Sequence, residues 1–172
     1  MLQQWLKKRL CSSPLSTLNA PKTKDVTGAR FSFLYGKQGG NIKGVDIQLL
    51  SFSEMESLKG VSFSPISLVG ANKITGNMTG AAFGLFNNHK GNDVGVNLAV
   101  VNLTNNVQGL NWGAVNVSTG TTLADVGLVS LSKKSTFQLG FFNKTDDIDG
   151  VQIGLINCAK NGFLPCFPFV LF

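Results

Sequence analysis

Gly150 to Asn157 reads GVQIGLIN, and the chain from about residue 28 onward is a series of variants of this octet. Its order is Gly, apolar, polar, apolar, small, apolar, apolar, Asn. Upstream copies are TFQLGFFN from Thr136, LADVGLVS from Leu123, GLNWGAVN from Gly109, GVNLAVVN from Gly95 and GAAFGLFN from Gly80. Weaker copies are GVSFSPIS from Gly60, GVDIQLLS from Gly44 and GARFSFLY from Gly28. Successive starts lie 16, 16, 20, 15, 14, 14, 13 and 14 residues apart, which makes nine units of 13–20 residues.

A short fixed period marks a fold in which neighbouring units complete one another's core. Apolar residues at positions two, four and six around a polar position three alternate with period two, so each unit predicts a strand. The apolar set is expected to face inward. Positions six and seven are both apolar, as in Leu85-Phe86 and Phe141-Phe142, so the inward phase shifts there. A bend with Asn or Ser at the corner accounts for that shift, and a flat strand does not. The expected fold is therefore all-β, a short-repeat β-solenoid. Equivalent positions of consecutive coils would then stack about 4.8 Å apart, and Asn87, Asn102, Asn116, Asn143 and Asn157 are candidates for a side-chain amide ladder. The alternative is an antiparallel β-meander or barrel, which one clear turn cluster per unit also fits.

Three segments follow: a basic amphipathic leader and tether over 1–27, the β-repeat domain over 28–162, and a C-terminal aromatic cap over 163–172. In the leader, Leu2, Trp5, Leu6 and Leu10 recur at helical spacing with Lys7, Lys8 and Arg9 among them. It lacks the apolar core of a secretory signal and has no small residues before Cys11 for lipidation. Four readings stay open: an export signal for a specialised secretion system, an organelle-type transit segment, an amphipathic foot on anionic lipid, or a terminus covering the first coil. At the other end, Pro165 and Pro168 cannot donate strand hydrogen bonds, while Phe163, Phe167, Phe169 and Phe172 supply bulk. A cap over the last coil is expected; an assembly signal for an outer-membrane barrel is the alternative.

The net charge is +6, but five basic residues precede the first acid, Asp25, leaving ten bases against nine acids in the remainder. No basic stripe along the repeat follows a phosphate backbone, so nucleic acid is not an expected partner. No apolar run reaches the length of a membrane helix. Cys158 and Cys166, eight residues apart, could pair in an oxidising compartment; the favoured reading is buried free thiols. His89, the sole histidine, is read as an exposed turn residue. Glu54 and Glu56 are read as solvated charges on a turn. Gly36 to Gly40 lacks the spacing of a phosphate-binding loop. Asp146, Asp147 and Asp149 offer a weak calcium cluster that does not recur from unit to unit. The irregular stretch from Val69 to Thr79 marks an insertion where a partner surface is to be sought. Four glycosylation sequons, at Asn77, Asn102, Asn116 and Asn143, follow from the repeat itself. No catalytic, cofactor-binding or metal-ligating residue is assigned.

The late units and the NGFLPCFPF ending resemble the bacterial surface-repeat proteins first recognised among leptospiral lipoproteins. These carry G-V-Q-I-G-L-I-N-like units and an N-G-x-x-P-x-x-P-like aromatic tail. The resemblance covers about Gly80 to Phe172. It implies a bacterial repeat protein, surface-associated or exported, without catalytic residues to carry over. The function expected is a non-enzymatic binding or structural protein, exported or membrane-associated without a standard signal peptide, whose partner is a protein or a membrane surface. A membrane-inserted barrel or pore in the outer membrane is the alternative.

Overall fold

The computed structural model describes residues 19–20, 25–37, 40–66 and 71–172, so the calls on Leu2, Trp5, Leu6, Lys7, Lys8, Arg9 and Val69 lie outside the described residues. Everything described is strand or turn. The first strands are β1 (Asn19–Ala20), β2 (Val26–Lys37), β3 (Asn41–Met55), β4 (Ser57–Ile66) and β5 (Ala71–Ile74). Next come β6 (Met78–Phe83), β7 (Phe86–His89), β8 (Asn92–Leu98), β9 (Val101–Thr104) and β10 (Asn106–Trp112). The last are β11 (Val115–Ser118), β12 (Thr121–Val126), β13 (Val129–Ala159) and β14 (Cys166–Leu171).

Octet copies stack in parallel. One face runs β2, β3, β4, β6, β8, β10, β12, β13, and the other runs β5, β7, β9, β11 back to β13. Every pairing along both faces is parallel; only β1 and β14, at the two ends, pair antiparallel. That excludes the antiparallel meander and barrel. The chain is a β-solenoid of about seven turns, fewer than the nine units counted in the sequence.

Two expectations are corrected. The bend does not sit at the asparagine: strands break at positions five and six, at Gly84-Leu85, Ala99-Val100, Gly113-Ala114 and Gly127-Leu128. The more consequential correction concerns which side faces in. Position three, from Arg30 and Asp46 through Asn97 and Asn111 to Gln138 and Gln152, is buried in every unit. Among the described residues, position eight is buried at Asn87, Asn102, Asn116, Ser130, Asn143 and Asn157, and Asn72, paired with Asn87, extends the row. The apolar positions two, four, six and seven face out, as Phe63, Trp112, Phe141 and Leu155 do. Apolar residues occupy the interior mainly in the early coils, where Val26, Ile42, Leu58 and Met78 stack beside Met55, Ile74 and Ala82. A second small cluster, Ile148, Ala159 and Leu171, lies under the C-terminal strand.

Stacking is close enough to dictate glycine at position one. Gly28, Gly44, Gly60, Gly80, Gly95 and Gly109 pair in register, each at positive φ. A Cβ on Gly95 would lie 1.8 Å from the Gly80 carbonyl oxygen, at φ +139°. Where Leu123 replaces the glycine, the β10–β12 register slips between Val107 and Leu110. Gly28, in the first coil, has the same kind of backbone (φ +112°) but nothing within 4 Å of an added Cβ. Gly28→Ala is therefore expected to cost about 1–3 kcal/mol of backbone strain alone. Gly95→Ala adds a collision with backbone and is expected to exceed about 4 kcal/mol, as read by denaturant unfolding. Equal losses would contradict the stacking.

Candidate functional site

Outward alternation gives the solenoid an apolar flank. Positions two, four, six and seven carry no charged residue in any of the nine units. Trp112, Phe141 and Leu155 are 55%, 59% and 53% exposed. Charges form ion pairs between neighbouring coils, away from these positions: Lys73 with Glu54 (2.7 Å), Lys160 with Asp146 (2.9 Å), and Lys134 with Asp147 and Asp149 (3.4 and 3.6 Å). Glu54 thus ends β3 in an ion pair, not on a free turn. Hydrogen bonding to Lys160 lowers the Asp146 pKa, and hydrogen bonding to Asp147 raises that of Lys134. The three aspartates are engaged by lysines, and no cluster of three or more His, Cys, Asp or Glu side chains suited to a metal occurs among the described residues.

Between rows four and six, the bend leaves an open groove floored by position five. Gly84, Leu98, Val100, Trp112 and Leu128 line one stretch of about 530 Å³. Leu128, Leu139, Phe141, Ile153, Leu155 and, from β14, Phe169 and Val170 line a second of about 570 Å³. The stretches meet at Gly127 and Leu128 and follow each other along the axis as a shallow, open groove.

The interior is a hydrogen-bonded polar network, as burial of polar groups requires. Arg30 donates from Nε and Nη2 to both oxygens of Asp46, at 2.7 Å each, and also to Ser53. Gln48 Nε2 donates to Asp46 (2.6 Å) and to Asn72 Oδ1 (2.7 Å), which starts the asparagine ladder. Asn72 Nδ2 donates to Asn87 (2.9 Å), Asn87 to Asn102 (3.0 Å), and Asn102 to Asn116 (2.9 Å). Ser130 interrupts the row, which resumes with Asn143 donating to Asn157 (2.8 Å). Asn72, Asn102, Asn116 and Asn143 also donate to the position-four carbonyls of the following coil, at Phe83, Trp112, Val126 and Ile153. The asparagines therefore brace the bend from inside. Three sequon asparagines, Asn102, Asn116 and Asn143, are buried.

Position three forms a second ladder with a reversal in it. Asn97 donates to Asn111 (3.0 Å) and Asn111 to Asp125 (2.9 Å), while from the other end Gln152 donates to Gln138 (2.6 Å) and Gln138 to Asp125 (3.4 Å). Donors converge on Asp125 from both directions, with Thr122 Oγ1 at 2.6 Å. Only an acceptor-only side chain meets that demand on all sides. Burial nevertheless raises its pKa, against the lowering effect of these hydrogen bonds.

His89 is not an exposed turn residue. It is 2% exposed, with Nδ1 2.7 Å from Asp93 Oδ2, and Asn97 Nδ2 donates to the same oxygen at 2.9 Å. Position ten faces inward, so the turn starts one residue later, at Lys90. His89 Nε2, Asp93 Oδ1 and Asn97 Oδ1 have no partner. The cause lies in the stacking: His89 pairs in register with Ile74, and Asp93 with Met78 and Val107. A histidine held by a carboxylate is the base half of a hydrolase triad. Both side chains have no exposed surface, so a substrate reaches Nε2 only by opening the coil.

Cys158 and Cys166 form a disulfide, with Cα atoms 4.0 Å apart, which overturns their reading as free thiols. It ties β14 to the edge of the last coil, where antiparallel pairing places the two cysteines opposite each other. No family model, curated protein or solved structure matches this chain.

Asp125 gives a pH test of the interior. Its raised folded pKa means that the native state carries the penalty of a buried carboxylate at neutral pH and sheds it as pH falls through that pKa. The melting temperature of the wild type is therefore expected to move in its favour relative to Asp125→Asn between about pH 7 and about pH 4. A difference that does not change with pH would contradict the burial of this carboxylate.

Proposed function

We propose that this protein is a non-enzymatic β-repeat scaffold that lies on a membrane surface through its outward apolar flank. The observation that carries the reading is the inversion of sides: polar side chains gathered inside and largely hydrogen-bonded to one another, hydrocarbon outside. That is the arrangement a lipid solvent demands, because a bilayer offers no partner for an unsatisfied polar group. In a parallel solenoid the backbone ladders run from coil to coil, so the lateral surface meets that demand. Moving a half-exposed Leu or Phe into hydrocarbon gains about 1 kcal/mol, and the flank as a whole gains on the order of 10 kcal/mol. An apolar surface of this extent is unusual on a soluble monomer and marks an interaction surface. The charged pairs lie away from the apolar positions and leave the solenoid amphipathic, which suits a protein lying in the interface.

The octets and the aromatic ending support a place among the bacterial surface-repeat proteins, exported or membrane-associated. The Cys158–Cys166 disulfide adds support, since such bonds persist in oxidising compartments. The sealed position of His89 supports the non-enzymatic part of the reading.

Vesicle flotation tests the proposal. The full chain is expected to float with phospholipid vesicles and to stay bound in roughly 1 M salt, where the Debye length is ~3 Å. Phe141→Ser combined with Leu155→Ser, both outward, is expected to weaken flotation without changing the melting temperature. Protein that stays at the bottom of the gradient, or that salt releases completely, would refute attachment through the flank.

A further inference from the structure

We infer that the groove over the position-five row holds one extended acyl chain of a phospholipid from the bilayer; this rests on the membrane-surface reading. From Gly84 to Gly154 the floor crosses six coils, a run of about 24 Å at the usual strand spacing. That exceeds the ~15 Å depth of one leaflet's hydrocarbon, so a lipid chain fits lengthwise. The walls are aliphatic and aromatic throughout, and Phe169 and Val170 flank the channel at its C-terminal end.

Hydrogen bonding at the floor decides between hydrocarbon and peptide. Gly84 N donates to Leu98 O (2.9 Å), Ala99 N to Trp112 O (3.0 Å), Gly113 N to Val126 O (3.0 Å) and Gly127 N to Leu139 O (2.9 Å). A peptide added as a strand needs free backbone groups, and these amides are already committed between coils. A hydrocarbon chain needs none. Charge points the same way. A recess of about 430 Å³ behind the position-six wall sets Lys144 among Phe142 and Ile156, with Lys160 beside it in its pair with Asp146. An anionic headgroup finds ammonium groups at the C-terminal end of the chain's bed.

Native mass spectrometry provides the test. The full chain is bound to vesicles of phosphatidylglycerol and phosphatidylcholine, floated, extracted into mild detergent and weighed. The expected result is a species carrying one phospholipid. Leu128→Trp and Leu139→Trp each place an indole in the groove from an exposed wall position, and each is expected to remove that species roughly tenfold or more while flotation persists. Wild-type protein that floats but retains no lipid, or plugged variants that retain it undiminished, would overturn the groove and leave the membrane reading standing. Protein that does not float at all would overturn both.

Discussion

The amide-to-amide hydrogen bond between successive coils is the interaction on which the rest of this structure depends. In a parallel solenoid each inward side chain stacks on its equivalent one coil away, so an interior row is stable when its residue complements itself. Asparagine and glutamine carry a donor and an acceptor on one planar group and can pass a hydrogen bond along indefinitely. Each link adds a modest net stabilisation, about 1 kcal/mol, but a missing link leaves two buried groups without partners. The asparagine row is therefore close to uniform from Asn72 to Asn157, and in the later coils the apolar residues are left mainly with the outside.

Where a row departs from the amide, the neighbouring residues show the cost. Asp125 sits where the two halves of the position-three ladder donate toward each other, and its carboxylate accepts from both sides at the expense of burial. Ser130 is too short to bridge Asn116 and Asn143, and its hydroxyl and the Asn143 oxygen go unpartnered. His89 and Asp93 stand at the junction between the early apolar stack and the later polar one, where Ile74 and Met78 offer nothing to bond. These two pair with each other instead.

Much of this was legible in the sequence. The octet, its period and the asparagine column point to stacked coils, and the coils are there. The direction of the side chains was misread because period-two alternation identifies two sides without saying which one is inside. Hydrogen-bonding capacity carries that information. From Gly80 onward position eight is Asn or Ser in every unit, and from Gly95 onward position three is Asn, Asp or Gln, side chains that can be hydrogen-bonded from one coil to the next. Positions two and four are apolar throughout. The same misreading put His89 in solvent, since it follows an asparagine by two residues and so shares its side. The insertion after Gly60 had a further effect: Asn72, on β5, fills the asparagine row for that unit, and the octet alone had placed Ser67 there.

The outside is uncharged over closed hydrogen bonding, and the proposed contact with a hydrocarbon surface would account for both. All of this depends on which side chains face water when the protein stands alone. Hydroxyl-radical footprinting of the lipid-free chain measures that directly. Trp112, Phe141 and Leu155 are expected to be oxidised readily, while Met55 and Met78, at 1% and 0% exposure, stay protected despite their greater intrinsic reactivity. Protection of the aromatic and leucine positions, with oxidation of the two methionines, would contradict a polar interior.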